Sequence, residues 1–323
     1  MTSTLVALRA NDTFEKDVLA GLSRRHKRLH SQYFYDAAGS QLFDRITELD
    51  EYYPTRTELA IMRTHAAAMA DRCGPGTLLI ELGAGSLVKA RLLLNELDSP
   101  AGYVPVDVSG EHLRSAAKEL AASYPSLRID PVVADFTRPF KLPRITAARR
   151  VVYFPGSTIG NFDPVEADTL LGNFARVLGT GGGLLLGIDL RKDPAVLERA
   201  YNDARGVTAA FNRNLLVRIN RELGADFDLT QFRHLAYYNI ERSRIEMHLV
   251  SAVTQEVRVS DHVFTFRAGE SIHTENSYKY DLAEFGRRAA ARGLRVDATW
   301  TDQDRYFAVL YLTEVDIPSG KPT

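Results

Sequence analysis

Three strand ends in the middle of the chain carry groups that could share one ligand. The stretch TLLIELGAGSLVKARLLL, residues 77–94, reads as a buried strand ending in an acid, Glu81, then Gly83 and Gly85, then a helix. Small residues at such a turn let backbone and ligand approach closely. Asp107 ends the next strand, 22 residues beyond Gly85, where a carboxylate can accept both ribose hydroxyls of a nucleoside. Asp135 and Phe136 end the third strand. An acid there can accept an adenine amino group while the phenyl ring lies near the base.

Three ligands compete for a glycine turn of this kind. A P-loop needs G-x-x-x-x-G-K-[ST], and no such string starts here. A dinucleotide fingerprint needs a third glycine at position 88, which Val88 occupies. S-adenosylmethionine (SAM) brings no pyrophosphate for a helix N-terminus to hold, so its turn tolerates the loss of that glycine. The acid at the third strand end also favours SAM over NAD. The plain alternative is that Asp107 and Asp135 are loop-start acids.

The elements that must position these groups alternate. Strands are expected at 77–82, 102–108, 128–135, 149–156 and 182–190, with helices at 87–97, 110–124 and 164–178. Such alternation predicts a parallel sheet covered by helices on both faces. The pattern then changes. Residues 192–224 read as helical, and 231–277 as short alternating strands with NIERSR as a hairpin turn. A helix at 281–293 and two strands around DQDR follow. The fold class is therefore α/β, with a Rossmann-like domain of residues 58–191 and 280–323. An α+β unit of residues 1–57 and 192–279 interrupts it.

Bulk properties exclude several classes. The 323 residues carry a net charge of −1, with no basic excess to mark a nucleic-acid surface. The basic run RRHKRLH, residues 24–30, reads as a solvated helix end. Cys73 is the single cysteine, so no intrachain disulfide can form. The N-terminal 17 residues lack a signal-peptide pattern, and no apolar run is long enough to span a bilayer. A cytoplasmic chain without membrane contact is expected, with an unstructured tail, IPSGKPT, at 317–323.

Five further blocks are long and irregular: QYFYDAAGSQLFDRITELDEYYPTRTE (32–58), GSTIGNFDP (156–164), AYNDARGVTAAFNRN (200–214), RIEMHL (244–249) and TENS (274–277). Together they resemble the histidine-specific, SAM-dependent methyltransferases of ergothioneine biosynthesis. The resemblance implies a class I SAM methyltransferase domain with an inserted substrate-binding domain. It implies Nα-trimethylation of L-histidine to hercynine; the oligomeric state is left open by the sequence, with a monomer as the expectation. Under it, Tyr35, Gly83, Lys89, Asp107, Asp135 and Phe136 fall where the family holds SAM. Tyr52, Asn161, Tyr201, Met247, Glu275 and Ser277 fall where it holds the amino acid. Asn161 and Tyr201 would take the carboxylate, Glu275 and Ser277 the imidazole. The glycine turn departs from the usual family form, with Ala84 and Ala90 in place of a small polar residue and a threonine.

Methyl transfer from a sulfonium is an in-line displacement with a neutral leaving group, so no metal is expected. The attacking amine must be neutral, and Tyr35 or Tyr52 is expected to pass its proton on, directly or through water. Tyr35, Phe43 and Tyr52 would line that end and favour a quaternary cation through their ring faces. Each residue also has a plainer role open to it. Asn161 could cap a turn, Tyr201 and Met247 could be core, and Glu275 an exposed strand acid. The eight histidines show no metal-ligand spacing and read as structural. Other substrates of the same fold, a SAM or histidine sensor, and a dehydrogenase that has lost its third glycine are the competing readings.

Overall fold

The computed structural model describes residues 13–85 and 87–315. The tail at 317–323 lies outside the described residues, as do residues 1–12 of the N-terminal stretch. The chain divides into two compact units, one within Met1–Tyr53 and Lys192–Ser277, the other within Pro54–Arg191 and Tyr278–Thr323. The helix α3 (Tyr53–Cys73) runs unbroken through the 57/58 boundary expected from sequence.

The second unit is a seven-stranded sheet. Its strands are β1 (Thr77–Leu82), β2 (Gly102–Asp107), β3 (Val132–Val133), β4 (Arg149–Phe154), β5 (Gly183–Asp189), β11 (Leu294–Thr301) and β12 (Phe307–Glu314), in the order β11-β12-β5-β4-β1-β2-β3. The first five are parallel, and the terminal hairpin β11–β12 joins antiparallel on β5. Strand alternation sorts their side chains into two apolar layers. Leu78, Ile80 and Val152 pack on one face beneath α6 (Pro164–Leu178) and α9 (Leu282–Ala290). Leu79, Val151 and Tyr153 pack on the other beneath α3, α4 (Val88–Leu94) and α5 (Gly110–Ser123).

Two elements are shorter than expected. The third strand shrinks from 128–135 to two residues, because Pro131 has no N–H to offer a ladder. Only a single bridge, Tyr103 to Ile129, precedes it. Helix α4 begins at Val88 because Leu87 sits in the left-handed region, with φ 58°.

The first unit begins with a helix, α1, over residues 13–22. Next come α2 (Ala37–Thr47), α7 (Pro194–Tyr201), α8 (Val207–Leu223) and five strands. The expected helical stretch 192–224 is broken at Asp203. Its carboxylate accepts the N–H groups of Val207 and Thr208, both at 2.8 Å, and so caps α8. The strands form two sheets, not one. β6 (Phe232–Asn239), β7 (Arg244–Ser251) and β10 (Ser271–Tyr278) make one, in the order β10-β7-β6, while β8 (Gln255–Val259) pairs with β9 (His262–Phe266). The basic run is only partly solvated. Arg24–His26 are exposed past α1, but Arg28 bridges to His273 of β10 and Lys27 pairs with Glu270. No helix among the described residues is long and apolar enough to cross a membrane.

Candidate active site

The carboxyl edge of the seven-stranded sheet collects the groups singled out for SAM, apart from Tyr35. Gly83 has φ +69°, a region that L side chains rarely adopt. Among the described residues a Cβ there would meet only the Phe136 ring, at 3.8 Å, which leaves the glycine face open to a ligand beside that ring. The N–H groups of Gly83 and Ala84 both donate to the Val106 carbonyl, at 2.9 and 3.2 Å. That pins the turn beside Asp107. The Ala134 N–H donates to the Asp107 carbonyl at 3.0 Å, which brings Asp135 to the same edge.

Each carboxylate is braced by its own loop. Asp107 accepts the Ser109 N–H at 2.7 Å, and Asp135 accepts the Thr137 N–H at 2.9 Å. Phe136 packs edge-on against Phe154, with ring centroids 5.2 Å apart. Ala84 and Ala90, the two departures in the glycine turn, are buried in the apolar layer under α3 and α4. A methyl group suits that environment without an unpaired hydroxyl.

Asn161 ends a short 3-10 turn, Thr158–Asn161, and is partly exposed. It is not the cap of α6. Asp163 holds that position, and its N–H donates to Glu166 at 2.8 Å in a capping box. Gly160 before it is forced by space: a Cβ would lie 2.8 Å from the Tyr278 carbonyl oxygen.

Lys89 is not an isolated ammonium. It pairs with Glu58 of α3, a fully buried acid that sequence reasoning passed over. Glu58 shares its helix face with Ile61, Met62 and Met69, so its signal was a charge on an apolar stripe. Glu81 is also buried and accepts the Tyr103 hydroxyl. Burial, opposed by that hydrogen bond and by Lys89, pushes its carboxyl up to about 8.

The first unit holds the other group. Tyr35, Phe43, Tyr52 and Tyr201 join with Phe211 of α8 in one aromatic cluster. Centroid separations are 5.6 Å for Tyr35–Phe43, 6.3 Å for Phe43–Tyr52 and 6.1 Å for Tyr52–Tyr201. Phe211 lies 5.8 Å from Tyr35 and 5.9 Å from Phe43. Tyr201 is buried and donates its hydroxyl to Ser277 at 2.8 Å. Met247 is buried in β7, and its carbonyl accepts the Thr274 hydroxyl at 3.1 Å, one residue from Glu275. Glu275 is partly exposed on β10. Tyr35 and Tyr52, expected to carry the proton, thus share a ring cluster with the amino-acid group.

Three histidines brace this group. His234 donates Nε2–H to the Tyr201 carbonyl and accepts from Asn212 at Nδ1, at 2.8 and 2.9 Å, which defines a neutral tautomer. His273 donates Nε2–H to the Glu275 carbonyl at 3.0 Å. It stacks on His248, which stacks on Tyr237, with centroids 4.7 and 5.5 Å apart. Burial and the neighbouring His248 push His273 down to about 4.

The fold also gathers Glu246, His248 and His273, with ligand-type atoms within 4.8 Å of one another, although their sequence spacing gave no such sign. Glu246 already accepts from Arg244 at 2.7 and 2.8 Å, from Tyr237 at 2.8 Å and from Asn239 at 3.0 Å. Burial would raise its pKa, but Tyr237 and Arg244 hold it down at about 2. The cluster is built around a carboxylate–guanidinium pair.

Comparison with known proteins shows the family. The family described as SAM-dependent, histidine-specific methyltransferases matches residues 14–314. A histidine N-alpha-methyltransferase of Mycolicibacterium smegmatis is 45% identical over 308 residues, covering 94% of this chain and 95% of its own length. One from Mycobacterium tuberculosis is 44% identical, covering 89% and 91%. Ergothioneine biosynthesis protein 1 of Neurospora crassa is 32% identical, over 87% of this chain but only 32% of its own length.

Proposed function

The chain belongs to the SAM-dependent, histidine-specific methyltransferases, and from that premise we propose that it transfers three methyl groups from SAM to the α-amine of L-histidine. The product is hercynine, which feeds ergothioneine synthesis. The observation that carries this is the family match over residues 14–314, supported by 45% identity to a histidine N-alpha-methyltransferase along almost the whole of both chains.

The chemistry asks for an amine lone pair in line with the C–S bond of the sulfonium, about 3 Å from the methyl carbon. In the second unit, Gly83 and Phe136 offer an open face for the donor, Asp107 its ribose acceptor and Asp135 its adenine acceptor. Asn161 offers an amide N–H to the amino acid's carboxylate. In the first unit, Tyr201, whose hydroxyl donates to Ser277, orders that serine, which with Glu275 reads the imidazole. An apolar side chain in that place would leave a carboxylate unpaired, at a cost of several kcal/mol. A free α-amine holds its proton to about pH 8. Tyr35 or Tyr52 relays that proton, and the ring cluster around Phe43 favours the methylated cation.

The direct test incubates the protein with SAM and L-histidine and follows methylated histidine by mass spectrometry. The trimethylated product is expected, with three S-adenosylhomocysteines released for each. A protein that binds SAM yet yields no methylated histidine would overturn the assignment. Glu275→Ala should lose turnover of histidine far more than affinity for SAM.

A further inference from the structure

Three parts of the second unit converge on Glu58. Its carboxylate is buried completely. Lys89, in the first turn of α4, pairs its ammonium with Oε2. The Gly156 N–H, just past β4, lies 3.0 Å from both carboxylate oxygens. From β5, Gly187 leaves the group its space: a Cβ there would stand 2.5 Å from Oε1. A Cβ on Gly156 would likewise stand 3.4 Å from the Lys89 nitrogen. The strands concerned are β1 and β4, neighbours at which the sheet order reverses. Open α/β sheets bind their ligands at that reversal. One acid from α3 therefore ties the start of α4 to the loop that carries Asn161.

We propose that Glu58, itself held by the Gly156 N–H, is a positioning residue for the methyl donor, acting through Lys89. SAM has one anionic group, its carboxylate, and an ammonium is the side chain suited to meet it. An ammonium has three N–H donors, of which the Glu58 pair takes one. The Lys89 side chain is 19% exposed, so it reaches the surface of the sheet edge while its pairing partner is sealed beneath. A flexible four-carbon stem would otherwise have to be ordered at each binding event. Glu58 does that ordering in advance. This inference rests on the SAM-dependent reading above.

A double-mutant cycle on SAM binding tests it. Titration calorimetry with SAM would compare the unaltered chain with Glu58→Gln, Lys89→Met and the double variant, alongside the KM for histidine. Glu58→Gln keeps the volume and an acceptor for Gly156 but removes the charge. Each single change is expected to weaken SAM about tenfold, the scale of one charged hydrogen bond. The double variant should bind no worse than Lys89→Met alone, and the KM for histidine should hold within about twofold, since a group acting through Lys89 has nothing left to position. A merely structural acid would instead give losses that multiply, or would raise both substrates' constants together, and either result overturns the proposal. So does SAM affinity left unchanged in Glu58→Gln. Should that variant fail to fold, Glu58→Asp carries the test: it keeps the charge but shortens the reach, and SAM affinity must fall while the KM for histidine holds. Absence of SAM binding by the unaltered chain would instead remove the methyltransferase reading itself.

Discussion

Tyr201 donates its hydroxyl to Ser277 across 2.8 Å, and both side chains are buried. The tyrosine is fixed at its backbone too, where its carbonyl accepts from His234. Tyr201→Phe would leave the Ser277 hydroxyl without that donor in a buried setting. The stability cost is expected at about 1 kcal/mol, the usual net worth of such a bond. The KM for histidine should rise about tenfold or more while that for SAM stays put. Steady-state kinetics with each substrate varied in turn would check the split.

Two glycines predict opposite kinds of damage. Gly83→Ala puts a Cβ into open space 3.8 Å from Phe136, so the fold bears only the left-handed backbone cost of roughly 1–2 kcal/mol. The methyl stands on the face proposed for SAM, and affinity for SAM should collapse in a protein that still folds. Gly160→Ala drives its Cβ to 2.8 Å from a backbone carbonyl, which cannot rotate away. That variant should lose roughly 1–3 kcal/mol of stability and disturb Asn161. Thermal unfolding beside SAM titration separates the two.

Much of this fold is legible in the sequence, and the part that is not has physical causes. Strands such as 77–82 and helix 164–178 announced themselves by continuous burial or by 3.6-residue periodicity with a Pro start, and they appear at those bounds. The strand expected at 128–135 is too long because apolar β-branched residues suggest a strand regardless of what Pro131 does to its ladder. The break at Asp203 was missed because a side chain capping residues four and five positions ahead leaves no periodic trace. Glu58, His234 and His273 reach their partners through tertiary contacts 31, 33 and 2 residues along the chain, and only the last is local.

The stack of His273 on His248 predicts acid sensitivity. His273 has a folded-state value of about 4, below the ordinary 6.5, through burial first and its neighbour second. The groups facing it are His248, Glu246 and Arg28. The unfolded chain binds the proton more readily. The stability is therefore complete above about pH 6.5 and is lost as pH falls towards 4, by up to about 3 kcal/mol for this one site. Glu246, held at about 2, extends the loss below its ordinary 4.5 in the same direction. Urea unfolding between pH 7 and 4.5 should show the decline, and His273→Gln should flatten it. A slope in that variant equal to the parent's would assign the sensitivity to other groups.

Glu81 predicts the reverse slope at higher pH. Its folded-state value is about 8 against an ordinary 4.5, and the rise comes from burial, with Tyr103 and Lys89 pulling the other way. Below pH 4.5 the carboxyl is protonated whether the chain is folded or not, and its contribution is intact. Between 4.5 and 8 the unfolded chain releases the proton while the folded chain keeps it, so stability drains as pH rises. For a buried carboxyl shifted this far the loss approaches roughly 4 kcal/mol by pH 8. Glu81→Gln keeps the shape and an acceptor for the Tyr103 hydroxyl but carries no proton to lose. The variant should match the parent near pH 4.5 and exceed it progressively towards pH 8, read as a widening gap in urea midpoints. A gap that stays constant across that range would mean that Glu81 is ionised in the folded protein and that its neighbours, not burial, set its charge.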